Sequence, residues 1–441
     1  MRETKFMHYA EHYQDVATDL PGQSLPWLQS LRSLARIDFT THGFPSPREE
    51  EWRYTNITPI EKKRFSPSTG AGDSVKVEEL IQQHRLTDAW SLVFIDGIYV
   101  AEQSRLGGVP DTVEVMPIAQ ALERCPKKVE AILQQVSRQE SHGFIAFNTA
   151  YFRNGAFIDL TEGQVLEKPI QILHLSTQTE GLAVLRHLIS LGTHAQATVF
   201  ETYAGGKDAA CLTAAVTEID LAANAKLDHH KLQIESARSY HFGGIYARQQ
   251  ETARLHQHHA AFGGLMARTD IHSDLGQGAE CHLDGLFLAS GRGHLDTHTL
   301  LRHRGAHALS RETYRGIASE RGRGVFSGRI LVDKLAQKTD AEMNNRNLLL
   351  SDDAEIDSKP QLEIHADDVK CAHGVTVGQL SNESIFYLQS RGIDEPSARN
   401  MLTFAFANEM VERIEDQGHR QQVREALLAA LPQTDVRGDW L

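Results

Sequence analysis

Cys371 and His373 are the residues whose types and spacing best suit chemistry at a metal. Two apart, they point to the same side of an extended strand, where a thiol and an imidazole suit zinc or iron–sulfur chemistry. Two ligands do not close a site. Cys125, Cys211 and Cys281 lie far from Cys371 in sequence and none belongs to a C-x-x-C pair, which leaves open where further ligands would come from. The plain alternative is a buried thiol beside a hydrogen-bonded histidine. Gly374, next to His373, leaves room for another backbone to approach.

A second constellation is GHLDTHTLLRH, in which His294, Asp296 and His298 alternate along one strand face. Three such groups could hold a divalent cation. A carboxylate between two imidazoles also fixes their tautomers without any metal, and we expect this trio to be structural. Absent motifs narrow the choice, and any enzyme reading must rest on looser constellations. The chain has no G-x-x-x-x-G-K-[ST], since Gly206-Lys207 is followed by Asp208 and lacks the upstream glycine, and no G-x-G-x-x-G, H-E-x-x-H or G-x-S-x-G.

The elements that must position these residues change character along the chain. Leu28, Leu31 and Ala35 form a helix-spaced stripe before the breaker HGFPSP, and EEEWRYTN follows with charge and aromatic anchors. In SLVFIDGIYV, Asp96-Gly97 between two apolar runs predicts a type I′ hairpin, and MPIAQALERC predicts a short helix. From about 140 to 370, stretches such as PIQILHL, ATVFETY, AKLDHHKLQIES and FSGRILVD are separated by Gly, Asn, Asp and Ser. Many short strands without helical periodicity point to a sandwich, a propeller or a solenoid, and no fixed repeat is visible. After 380, Ser381 and Asp394 are placed as N-caps and Gly392 as a helix stop. Six of the seven residues from Met401 to Ala407 are apolar, more than one core-facing stripe needs. We therefore expect one face to meet a partner, with Met401, Phe404 and Phe406 in the contact.

The 441 residues are 41% hydrophobic, enough for two or three domains, and 45 basic against 58 acidic residues give a formal charge of −13. Without a basic stripe, nucleic acid is not an expected partner. The absence of a long apolar run and of a signal-like start predicts a cytoplasmic protein without membrane association, its four cysteines thiols.

The sequence LEIHADDVKCAHGVTVGQLSNESIFYLQSRGI, with EEWRYT, GVFSGRILVD and AQKTDAEMNNRNLLLS elsewhere, resembles the SufB/SufD family of the Suf iron–sulfur cluster assembly system. Its HGVT, where SufB-type chains typically have His-Glu-Ala-Thr, favours the SufD branch, in which alanine is commoner than the Val375 found here. The resemblance implies a mainly β fold with a right-handed parallel β-helix core, 139–374, between a mixed helical region, 1–138, and a C-terminal helical domain, 375–441. It implies a non-catalytic scaffold that pairs with SufB through the core and docks the ATPase SufC on its C-terminal helices. A homodimer of the isolated chain is compatible with it. His373, with Cys371 beside it, is then placed at a transient cluster completed by SufB ligands, and no cofactor is expected on the chain alone. A cytosolic β-helix enzyme and a purely structural solenoid are the alternatives.

Overall fold

The computed structural model describes residues 7–14, 17–68, 74–137 and 142–431. From Ile170 to Gln379 the strands do not pair with their immediate neighbours in sequence. Each pairs in parallel with the strand two ahead: Tyr240–Gln249 with Met266–Leu275 and then His294–His303 in one sheet, and Lys226–Ile234 with Arg254–Ala261 and then Glu280–Ala289 in the other. The result is a parallel β-solenoid of about eight turns built from two ten-stranded sheets, with helices at both termini.

The register explains why no repeat is visible in the sequence. Tyr240 pairs with Met266, Met266 with His294, His294 with Arg323 and Arg323 with Glu355, so successive turns take 26, 28, 29 and 32 residues. One corner of the turn recurs as a left-handed residue, at His194, Asn224, Thr252, Gly278, His307 and Lys338. Only one of these six is glycine, so turn chemistry read from glycine misses the corner.

Three apolar layers hold the molecule together. Between the sheets lie residues such as Ile219, Ile245, Ile271, Leu283, Leu301 and Phe326. Outside one sheet, the N-terminal helices Pro26–His42 and Gly143–Tyr151 bury Phe39, Phe147 and Tyr151 against Leu188, Leu212 and Phe242. Outside the other, helices Glu395–Val411 and Gln417–Ala430 pack Phe404, Met410 and Leu427 on Leu232, Leu286 and Ile317. Strands covered on both faces need not alternate apolar with polar, which is why period-two patterning fades in the middle of the chain.

The two ends of the solenoid differ. At the first, Ile98–Tyr99 pairs antiparallel with Trp90–Ile95, and Val113–Pro117 antiparallel with Ala156–Leu160, which closes both sheets. Asp96 and Gly97 both have positive φ, as the predicted type I′ turn requires. At the other end, Glu355–Ile364 and Lys370–Gln379 are the outermost strands of their sheets, with no strand beyond them among the described residues. Compared with the sequence expectation the sheets begin earlier, in strands before residue 139, and the last strand runs on past 374 to Gln379. Gly374 and Gly378 interrupt the apolar pattern of Lys370–Gln379, so its full extent shows only in its pairing with Asp340–Leu349.

Candidate functional site

The strand Lys370–Gln379 carries Cys371 and His373 opposite Ala341 and Met343 of its one partner strand. Cys371 is partly buried and packs on the last layer of the inter-sheet core. Burial, and then the nearby Asp340 carboxylate, push its thiol above the ordinary range. A thiol so placed is a packing group before it is a thiolate ligand. His373, two residues on, is exposed. A Cβ added at Gly374 or Gly378 would meet nothing within 4 Å, so the outer side of this strand is open. Among the described residues, no three His, Cys, Asp or Glu side chains converge to hold a metal.

The trio His294, Asp296 and His298 sits under the N-terminal segment EEWRYT. Thr55 Oγ1 donates to Asp296 Oδ2 at 2.5 Å and lies 2.8 Å from His294 Nε2. With the threonine proton committed to Asp296, His294 donates from Nε2. His298 Nε2 is 3.0 Å from Asp296 Oδ1, and its Nδ1 is 3.4 Å from Glu51 Oε2. Arg268 joins the cluster, donating to Asp296 at 3.2 Å and to the Glu51 carbonyl at 2.6 Å, with its guanidinium 3.7 Å from the Trp52 ring. These partners give the trio the structural role expected of it: it anchors the N-terminal segment to the sheet.

The three expected docking residues are not presented together. Phe404 is 4% exposed and belongs to the layer between helix and solenoid. Phe406 is partly buried under the Arg315 guanidinium, 4.7 Å away, and its carbonyl accepts from Arg315 at 2.7 Å. Met401 is partly buried. The expectation misjudged which surface absorbs the apolar run Met401 to Ala407: the outer face of the solenoid takes much of it. Exposed aromatic surface lies instead one helix earlier, in Asn382–Ser390, where Phe386 is 70% and Tyr387 56% exposed.

Comparison with known proteins agrees with this architecture. The chain matches the family description "SUF system FeS cluster assembly, SufBD core domain" over residues 174–406 and "SufBD protein N-terminal region" over 3–172. It is 35% identical to the iron–sulfur cluster assembly protein SufD of Escherichia coli K12 over 92% of each chain. The chain belongs to the SufBD family and is of the SufD type. Its similarity extends to a SufBD family protein of Synechocystis, 29% identical over 84% of each chain, and to the chloroplastic protein ABCI7 of Arabidopsis thaliana, 27% identical over 95% of this chain and 89% of that one. A role in Suf-system iron–sulfur cluster assembly, as an assembly subunit, follows from this membership. No helix among the described residues is long and apolar enough to cross a membrane.

The SufD-type solenoid also holds charged residues between its sheets that sequence reasoning did not single out. Glu201 accepts from Tyr203 at 2.7 Å and Thr217 at 2.6 Å, and lies 2.9 Å from His229 Nε2; the other ring nitrogen of His229 is 2.5 Å from Gln257 Oε1. Burial alone would raise the Glu201 carboxyl, but His229 more than offsets this and holds it well below the usual range. Lys231, likewise buried, is pushed down to about 8 by burial, and Glu312 is pushed up to about 8. In AKLDHHKLQIES both parities carry polar residues, so the pattern does not mark which face is inside. Registration of this strand between its two neighbours settles it.

Proposed function

We propose that this chain is the SufD-type partner of a SufB-type subunit, joined to it through the open end of the solenoid, and that His373 handles iron or cluster there with Cys371 in support. The observation that carries the reading is the unpaired edge of Lys370–Gln379, a ten-residue strand with His373 exposed on it. A long, uncovered strand edge is a template for pairing with another chain, and the exposed Val377 and Ile364 beside it favour burial. The iron–sulfur cluster is cargo, and the ligand set that Cys371 and His373 leave incomplete is finished by the partner.

The ATPase of the system, of the SufC type, docks on the C-terminal helices. Phe386 and Tyr387 are its contact in this reading, with Met401 the remaining member of the expected trio. The chain supplies no ATP hydrolysis of its own, consistent with its lack of a P-loop motif. It works in the cytoplasm.

Reconstitution with iron and sulfide after co-expression with SufB- and SufC-type partners tests the proposal. His373→Ala should remove most of the cluster absorbance while gel filtration still shows the complex. Cys371→Ser should lose less. Normal cluster content in the histidine variant would remove the ligand role. Wild-type chain that fails to co-elute with its SufB-type partner would sink the pairing itself.

A further inference from the structure

The segment from Glu50 to Thr55 crosses several turns of the solenoid, from two adjacent strands to one that touches neither of them. Arg268, Asp296 with His298, and Lys359 belong to three different strands of one sheet, and all three strands hold this segment: Arg268 through the Glu51 carbonyl and the Trp52 ring, Asp296 through Thr55, and Lys359 through Glu50 at 2.6 Å. In a solenoid each turn contacts chiefly its neighbours, so a strap of this kind couples distant turns. Lys359 lies on Glu355–Ile364, one of the two strands at the open end.

The strap has one contact that a proton controls. His298 has a carboxylate oxygen at each ring nitrogen, Asp296 from its own strand and Glu51 from the strap. At 3.0 and 3.4 Å these are ion-pair contacts, favourable only while the ring carries its charge. The surrounding charges favour it. Asp270, beside His298 in register, pairs with Arg268 at 3.0 Å and with His142 at 3.1 Å, while Asp296 shares Arg268. Three carboxylates, Asp270, Asp296 and Glu51, thus face one permanent cation in direct contact, Arg268, together with His142 and His298. Ser327, paired with His298 from the next strand, is uncharged, and His272 and Arg329 line the same cleft.

We propose that Glu50–Thr55 is a proton-dependent strap, latched across the solenoid by the His298 imidazolium and loosened when that ring loses its proton. Burial opposes a charge on His298, but Asp296 and Glu51 more than offset it, so its proton is held above the ordinary histidine range. The sign follows: the latch is complete at low pH and is lost as pH rises through the raised value. Loosening bares the cleft under Trp52 and frees Lys359, so the open-end strand softens with it.

Hydrogen exchange of the full chain between pH 6 and 9, corrected for intrinsic rates, tests this. Protection of peptides covering 49–56 should fall as pH rises from the ordinary histidine value through the raised one, by at most about tenfold per pH unit, the slope of one linked proton, and then level off; 355–364 should follow. His298→Gln should be pH-independent and weakly protected. Glu51→Gln, on a half-exposed surface residue, keeps the fold and should move the midpoint to lower pH. A wild-type strap whose protection does not vary, a pH dependence that survives in His298→Gln, or an unmoved midpoint in Glu51→Gln would each overturn the latch.

Discussion

Cys371 and His373 share a strand face by spacing, yet the structure gives them different environments. One packs into the last core layer and the other is exposed. Their reactivities should differ from those of the remaining thiols. Cys211 and Cys281 are buried, and burial pushes the first up to about 11 and the second further. Native-state alkylation at pH 7.5, read by mass spectrometry, should label Cys371 slowly and leave Cys211 and Cys281 unlabelled until the chain unfolds, because the thiolate is the nucleophile. Fast labelling of Cys371, at the rate of a free cysteine, would contradict its place in the core. Protection of Cys371 on adding the SufB-type partner is the same experiment's check on the proposed interface.

Among the elements, the C-terminal helices answer most directly to local sequence. Ser381 accepts from the Ser384 amide at 3.3 Å and Asp394 from the Ser397 amide at 3.0 Å, the two predicted N-caps, and Gly392 has φ 86 at the predicted stop. What those helices pack against is not local. Phe404→Ala should cost about 3–5 kcal/mol of stability, since it opens a cavity between helix and solenoid. Phe386→Asp, on an exposed position, should change stability by no more than about 0.5 kcal/mol while weakening recovery of the SufC-type ATPase. Denaturant titration and co-purification separate the two. Equal losses of stability would show that Phe386 is also core.

At the scale of the molecule, the seam between solenoid and C-terminal helices is lined with neutral histidines. His258 Nε2 lies 3.1 Å from the Met410 carbonyl, and His419 stacks on Phe200 with ring centroids 4.3 Å apart. Burial pushes His258 down to about 4 and His419 to about 3. The folded state therefore binds these protons less readily than the unfolded chain. Stability is full above the ordinary histidine value, about 6.5, and falls as pH drops toward 4, by on the order of a few kcal/mol for each histidine. A thermal melt series from pH 7.5 to 4.5 should show this decline, steeper than in His258→Gln. An unchanged slope in the variant would place the acid sensitivity elsewhere.

The sequence by itself determined whatever depends on neighbours a few residues apart: the hairpin at Asp96-Gly97, the caps at Ser381 and Asp394, the strand spacing of Cys371 and His373, and the texture of many short strands. Its motifs also carried the family. Tertiary structure alone decided what depends on register between strands 26 to 32 residues apart: that Glu201, His229 and Lys231 lie between the sheets, and that Thr55 and Glu51 meet Asp296 and His298 from more than two hundred residues away. Likewise it put Phe404 against the solenoid when the local apolar run permitted either face. Helix caps and tight turns are fixed by the chain's own backbone within a few residues, whereas burial is a property of whichever surface arrives opposite. In a solenoid whose turns vary in length, no local period announces that surface.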